Sequence, residues 1–203
     1  MKISGKGAYV DSNRKKHSFK GDVSFPTSDT WKSFNASGKV SFDEFSCSQI
    51  EIKGTCKGKS LSADDISVSG DFKVDSVKAK QSFQASGRIK VKNLDAENII
   101  IESDESSAEE IKCVTIKIFN NETSDDDGFF SKIFGGGNFK TKSNSHVHIK
   151  NIFAEKVELE NCEVEEINCT DAIINSNCVI KKLTVKNNCD IAADSKAVEI
   201  IRG

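Results

Sequence analysis

The stretch "RIKVKNLDAENIIIES", residues 88–103, has the same apolar pattern as "HVHIKNIFAEKVELEN", residues 146–161. In the first copy the apolar residues are spaced by two, three, two, three and two positions: Ile89, Val91, Leu94, Ala96, Ile99 and Ile101. The second copy fills the same six columns with Val147, Ile149, Ile152, Ala154, Val157 and Leu159. A pair at spacing two puts both side chains on one face of a strand, and a spacing of three marks a corner. Each copy therefore predicts one turn of three short strands.

The same period runs through most of the chain. Glycines recur at intervals of 16 or 17 residues: Gly5, Gly21, Gly38, Gly54, Gly70 and Gly87. The fourth apolar column contains only small residues: Cys47, Ala63, Ala79, Ala96, Ala154 and Cys169. One turn cannot bury its inward face alone, whereas stacked turns form a continuous core. Because parallel crossover connections are overwhelmingly right-handed, we predict an all-β, right-handed parallel β-helix of about ten turns of 16–17 residues, with three short strands per turn. The left-handed alternative requires a hexapeptide repeat, which this chain lacks.

Breaks in the pattern divide the chain. The predicted segments are an N-terminal cap or irregular first turn at 1–20, β-helix turns at 21–118, an extruded loop at 119–145 and further turns at 146–203. The loop contains four apolar residues that can form one patch on a short helical turn: Phe129, Phe130, Ile133 and Phe134. This patch either packs against the rod or docks a partner or a membrane surface.

The composition and charge of the chain limit which class of protein it can be. The chain has no apolar run long enough to span a membrane and no signal-peptide pattern, so we expect a cytoplasmic protein. Its seven cysteines, an odd number without C-x-x-C spacing, are expected to be reduced and mostly buried. The net charge is only −2, but residues 1–92 carry 17 basic and 10 acidic side chains, whereas residues 93–203 carry 12 and 21. Neighbouring rods could therefore attract one another through opposite halves.

No motif indicates catalysis or a cofactor. There is no nucleophile, base and acid set and no phosphate loop, so we predict no catalytic and no cofactor-binding residues. The acidic run Asp125–Asp127 lacks EF-hand spacing, and His146 and His148 lack a third ligand, so no metal site is predicted. The lysines have no interleaved aromatic platform for nucleic acid.

Cys162 and Cys178 lie one turn apart and are expected to form a thiol ladder, with a disulfide as the alternative.

The residue pattern of the successive turns resembles that of one known family. The segments "VSGDFKVDSVKAKQSFQASGRIKVKNLDAENIII", residues 68–101, and "IFAEKVELENCEVEEINCTDAIINSNCVIKKLTV", residues 152–185, resemble the bactofilins, especially the longer cytoplasmic members found in Firmicutes. The likeness covers roughly residues 36–187. It implies a β-helix that assembles end to end into non-polar filaments without nucleotide, as a cytoskeletal scaffold for cell-envelope or morphogenetic proteins. The membrane tail of short bactofilins is missing here, so direct membrane binding is not expected.

The ends of such a rod suggest a function. An uncapped sheet edge is a template for pairing with another chain. Near the C-terminal end stand Val198, Ile200 and Ile201, which we expect to form a self-association interface that gives a homo-oligomer or a filament. The alternative is a monomeric, rigid interaction module that presents the 119–145 loop to a partner.

Overall fold

The computed structural model describes residues 8–11, 16–27, 31–103, 105–120 and 147–203. These residues form strands and no helix. The twelve strands are β1 Ala8–Asp11, β2 Lys16–Lys20, β3 Val23–Thr27, β4 Trp31–Glu102, β5 Ser106–Phe119, β6 Val147–Phe153, β7 Lys156–Leu159, β8 Cys162–Cys169, β9 Asp171–Ile174, β10 Val179–Val185, β11 Cys189–Ile191 and β12 Lys196–Arg202.

The strands coil into a parallel β-solenoid of about nine turns, which confirms the predicted fold class. Every pairing between different strands is parallel except that of β1 with β2, among the residues described. Because β1 runs antiparallel to its neighbour, it lies across the end of the coil and adds no turn. This is one reason why the count falls slightly below the ten expected from the sequence.

The period varies while the columns stay aligned. Residues paired in adjacent turns are 17 apart between β4 and β5, 15 apart between β6 and β8, and 16 apart between β8 and β10. Between β5 and β6 the spacing is 41, as in the pair Ile111 and Ile152. The turns before and after the 119–145 segment are therefore direct neighbours, and the rod continues across that insertion.

The predicted columns form the interior. Ile89, Leu94, Ile99 and Ile101 are all buried, as are the small fourth-column residues Cys47, Ala63, Ala79, Ala96 and Cys169. Ala154 of the same column is half-buried and packs against the core. Burying each large aliphatic side chain contributes roughly 1.5–3 kcal/mol, so the stacked turns hold one another in place.

The core changes character toward the N-terminal end, where aromatic rings replace aliphatic side chains. Phe34 and Phe45 meet edge to face with ring centroids 4.8 Å apart, and Trp31 lies 5.4 Å from Phe45. Phe19 continues the cluster at 5.4 Å from Phe34. These ring contacts form one aromatic cluster in the first described turns.

One corner adopts a left-handed backbone conformation in seven of the described turns. Gly54 has φ of 125°, and an added Cβ would collide with the carbonyl oxygen of Gly38 one turn earlier, so only glycine fits. In the C-terminal half the same corner is occupied by Asn161 at φ 53° and Asn177 at φ 60°. Asparagine tolerates this region, and Asn177 Nδ2 donates a hydrogen bond to Asn161 Oδ1 at 2.7 Å. The glycine repeat is thus continued by asparagines.

Strand β4 is continuous over 72 residues and passes through several corners, including the left-handed corners at Gly54 and Gly70, although its side chains form separate inward pairs. Likewise β8 carries Val164, Ile167 and Cys169 through a corner without interruption. The three flanks of each turn are therefore distinguished by side-chain direction more than by breaks in the strands.

Candidate interaction surfaces

The apolar interior opens at the C-terminal end. Strand β12 pairs with β10 on one side and has no partner strand on the other within the residues described. Ile200 pairs in register with Leu183, which is fully buried, yet Ile200 is 42% exposed. Ala197 and Ile191, also in inward columns, are only partly buried. The outer ends of these three inward columns form the first candidate surface, which we call the apolar end: Ile191, Ala197 and Ile200.

Two of the three residues predicted for self-association face a different direction. Ile201 pairs with Thr184, an outward position, and Val198 lies between Ala197 and Glu199, beside Lys181. Val198 is 66% exposed and Ile201 is 39% exposed. All three predicted residues lie in β12, but only Ile200 belongs to the apolar end, because a corner between Ala197 and Ile200 changes the alternation. Val198 and Ile201 flank it on the sides of the rod.

Exposed large apolar residues are concentrated toward this end. Among the side chains that the structure describes, those exposed are Val114, Phe153, Ile173, Val179, Val198, Ile200 and Ile201. All of them lie in the second half of the chain, and three lie in β12. At the opposite end, β1 pairs with β2 and Phe19 is buried. Among the described side chains, the exposed large apolar residues therefore lie toward the C-terminal end.

The outward side chains also stack, one per turn, and one such row has strictly alternating charge. We call this row the charge ladder: Asp43, Lys59, Asp75, Lys92, Glu109, Lys150, Glu165 and Lys181. Each member directly follows the second inward column, whose residues pair in register from turn to turn. Opposite charges on neighbouring parallel strands attract, and like charges would repel.

Three pairs of the ladder make close contacts. Nζ of Lys59 lies 2.9 Å from the Asp43 carboxylate, and Nζ of Lys92 lies 3.1 Å from that of Asp75. Lys181 Nζ lies 3.0 Å from Glu165. A hydrogen bond to Asp43 raises the pKa of Lys59 above its usual value. Each exposed pair is weak alone, but together they favour the observed stacking over a slipped one.

Other rows contain similar contacts between turns. Lys80 Nζ lies 2.7 Å from Asp64, and Lys182 Nζ lies 3.1 Å from Glu166, which lowers the pKa of the Glu166 carboxyl. Several outward lysines are thus organised into ion pairs between turns. The sequence contained the signal: sampling charges at the 16- or 17-residue period gives the alternation directly.

A second row runs beside the charge ladder, on the other side of the second column. We call it the flanking row: Lys57, Lys73, Lys90, Ser107, His148 and Glu163. Between the two rows lies a groove of about 430 Å³ with Val91, Ala108 and Ile149 at its floor. Lys57, Lys73 and Lys90 form no ion pair with any residue that the structure describes. The flanking row therefore offers unneutralised positive charge in its first half.

The cysteines behave as reduced core residues. All seven are free, and five of them are buried, as the sequence predicted: Cys47, Cys56, Cys162, Cys169 and Cys178. Cys162 and Cys178 occupy adjacent turns of the first column. Each thiol donates a hydrogen bond to a backbone carbonyl, Cys162 to Glu160 and Cys178 to Ser176. The interaction between the two thiols raises the pKa of Cys162 and lowers the pKa of Cys178. The two free thiols therefore stack in adjacent turns as a ladder.

Several residues that the sequence singled out lie outside the described residues. Across the described ranges, no group of three or more His, Cys, Asp or Glu side chains could hold a metal ion. His148 Nδ1 lies 3.2 Å from Glu163 Oε2. His146, Asp125–Asp127 and the loop patch of Phe129, Phe130, Ile133 and Phe134 are not among the described residues. The part of the chain that the structure describes includes no helix of the length and apolarity that a membrane span requires.

These surfaces define a β-solenoid rod with one uncovered apolar end and one flank of ordered charge. Comparison of the chain with protein-family models, curated proteins and solved structures finds no match.

Proposed function

We propose that this chain is a non-enzymatic structural protein of the cytoplasm whose rods self-associate through their C-terminal ends. The observation that carries this proposal is the exposure of Ile200 at an unpaired strand, in a column whose next member, Leu183, is fully buried. Covering such a column removes apolar surface from water. A second copy of the chain presents the same inward columns at the same spacing, so its apolar end can cover this one. The resemblance to bactofilins belongs to this proposal and supports a cytoskeletal, scaffold-like role.

The contact follows from strand chemistry. The free edge of β12 presents unpaired backbone N–H and C=O groups, which a second β12 can satisfy. A two-fold axis perpendicular to the rod makes that pairing antiparallel and self-complementary. It also brings the Ile200 side chains of both copies together, with Val198 and Ile201 at the margins. One such contact gives a tail-to-tail dimer, and a filament needs a second contact elsewhere on the rod.

A second candidate function rests on the insertion. Because β5 pairs directly with β6, the 119–145 segment leaves and rejoins the rod at one place. In this alternative the rod is a monomeric, rigid module that presents the segment to a partner, such as a cell-envelope or morphogenetic protein. Neither candidate function involves nucleic acid, a cofactor or direct membrane binding.

Sedimentation velocity over a concentration series tests the self-association. In about 1 M salt, where charge contacts are screened, the unmodified protein is expected to sediment increasingly as dimers or larger species, whereas Ile200→Lys is expected to sediment as a monomer, since a buried unpaired charge opposes the contact. The matched control is Ile173→Lys, because Ile173 is 49% exposed but lies on the flank in β9. Self-association through the apolar end is wrong if Ile200→Lys associates like the control, and a protein that stays monomeric throughout favours the second candidate function.

A further inference from the structure

We propose a second, separate contact between copies of this chain: the charge-ladder flank of one rod docks against the same flank of another, with the two rods antiparallel. The apolar end takes no part in this contact. The partner is identified by the order of charges along the ladder. The contact goes beyond tail-to-tail association, because it joins rods side by side.

The number of ladder positions decides the orientation. The ladder has eight members that begin with an acid and end with a base, so reading it backwards reverses the sign at every position. A two-fold axis that lies in the interface, perpendicular to the rods, sets each position against its mirror position. The facing pairs are then Asp43 with Lys181, Lys59 with Glu165, Asp75 with Lys150 and Lys92 with Glu109 of the second copy. All eight positions meet an opposite charge.

Parallel rods do not share this property. When two such rods face each other in register, each ladder position meets its own copy, so acid faces acid and base faces base. Like charges placed opposite one another penalise an interface. The alternation therefore selects antiparallel rods over parallel rods in the same register.

The flanking row supports the same orientation. In the antiparallel arrangement Lys57, which has no ion pair among the residues described, faces Glu163 of the second copy. Lys73 faces His148, a pair without opposite charge, and Lys90 faces Ser107, next to Glu109 of the ladder. The basic first half of one chain also overlaps the acidic second half of the other. Long-range charge and individual side chains thus favour the antiparallel orientation. The two rows of one rod meet those of the other as ridges, and the groove between the rows stays hydrated.

Ionic strength gives the first test of this contact. Measurements use the Ile200→Lys chain, so that the apolar end does not contribute. Sedimentation velocity is expected to show a dimer at about 0.02 M salt that dissociates at about 1 M salt, where the Debye length falls to about 3 Å. The proposal is overturned if this chain is monomeric at low salt, or if its dimer is insensitive to salt. Neither result affects the tail-to-tail contact, which is measured on the unmodified chain at high salt.

Charge reversal gives the second test. In the same background, Lys92→Glu places like charges at two symmetry-related positions, against Glu109 of each copy, and is expected to weaken the dimer at least roughly tenfold. The control is Lys80→Glu, which breaks a comparable ion pair with Asp64 in another row and is expected to leave the dimer unchanged. An equal effect of both variants contradicts the proposed surface.

The double variant Lys92→Glu with Glu109→Lys separates contact between copies from contact within one chain. It restores opposite charges across the interface, but within the chain the new carboxylate lies beside Asp75 and the new ammonium lies beside Lys150. Association is therefore expected to return to within about threefold of the starting chain, while the melting temperature stays below that of the starting chain. Recovery of stability without recovery of association overturns the proposal.

Discussion

Single residues set the shape of each turn at the left-handed corner. Gly54 and Gly38 lie so close that the carbonyl oxygen of one occupies the place of a side chain on the other. Asn161 and Asn177 solve the same problem with a residue that tolerates positive φ and adds a hydrogen bond between turns. The corner therefore accepts two residue types for different physical reasons.

Replacing a corner glycine tests this requirement. We expect Gly54→Ala to lower the free energy of unfolding by about 2 kcal/mol or more, because the added Cβ meets backbone that cannot move aside and because φ is positive. Urea denaturation measures the change. Thr55→Ala, at the next position, serves as the control and is expected to cost less than about 0.5 kcal/mol. An unchanged midpoint for Gly54→Ala contradicts the close stacking of the corners.

Thiol reactivity tests the environment of a single column residue. Burial raises the pKa of Cys113 to about 12, although its side chain is partly exposed. Below that pKa the unreactive thiol dominates, so at pH 8 the thiolate fraction is roughly a thousandfold lower than for an ordinary thiol of pKa 9. We expect iodoacetamide to alkylate Cys113 correspondingly slowly in the folded protein, with the rate rising as the pH increases toward 12. Peptide mass spectrometry gives the rate, and equal rates in folded and urea-unfolded protein disagree with this environment.

At the scale of elements, two neighbouring turns pair in the same way whether a short corner or a long insertion connects them. β5 pairs with β6 in the same way as with β4, although 41 residues separate the partners in one case and 17 in the other. What fixes the pairing is the match of inward columns, such as Ile111 with Ile152. The insertion is therefore not needed for the register of the rod.

Shortening the insertion tests this independence. Deleting residues 121–144, which are 24 residues, reduces the β5 to β6 spacing from 41 to the 17 found between β4 and β5. We expect the shortened chain to keep its β-sheet circular dichroism and one cooperative unfolding transition, with a free energy of unfolding changed by less than about 1 kcal/mol. Loss of cooperative unfolding means that the segment contributes to folding. If the shortened chain still self-associates, the segment is not the associating surface.

The elements also show which parts of the fold could be predicted from the sequence. Apolar residues at fixed spacing report directly on a stacked core, so the columns from Val40 to Val185 are as predicted. The period is harder to follow in the C-terminal half, where the glycine repeat has ended and the spacing of paired residues varies from 15 to 17. The charge ladder was missed because counting charges by halves of the chain hides their alternation.

At the scale of the whole molecule, the two proposed contacts join rods in different directions. The apolar end joins two rods end to end and depends on apolar burial, whereas the charge-ladder flank joins them side by side and depends on charge. Sequence proximity suggested that Val198, Ile200 and Ile201 form one surface. The corner within β12 separates them, since only Ile200 continues an inward column. A one-dimensional pattern does not show which face a terminal strand presents once its alternation changes.

The length of the associated particle tests the tail-to-tail contact most directly. With turns ~4.8 Å apart, a rod of about nine turns is ~40 Å long, and a tail-to-tail dimer is about twice that length. Small-angle X-ray scattering at about 1 M salt, where charge contacts are screened, is expected to show doubled mass and a maximum dimension nearly twice that of the Ile200→Lys variant. A doubled mass with an unchanged maximum dimension, or a mass equal to that of Ile200→Lys, would contradict association through the apolar end.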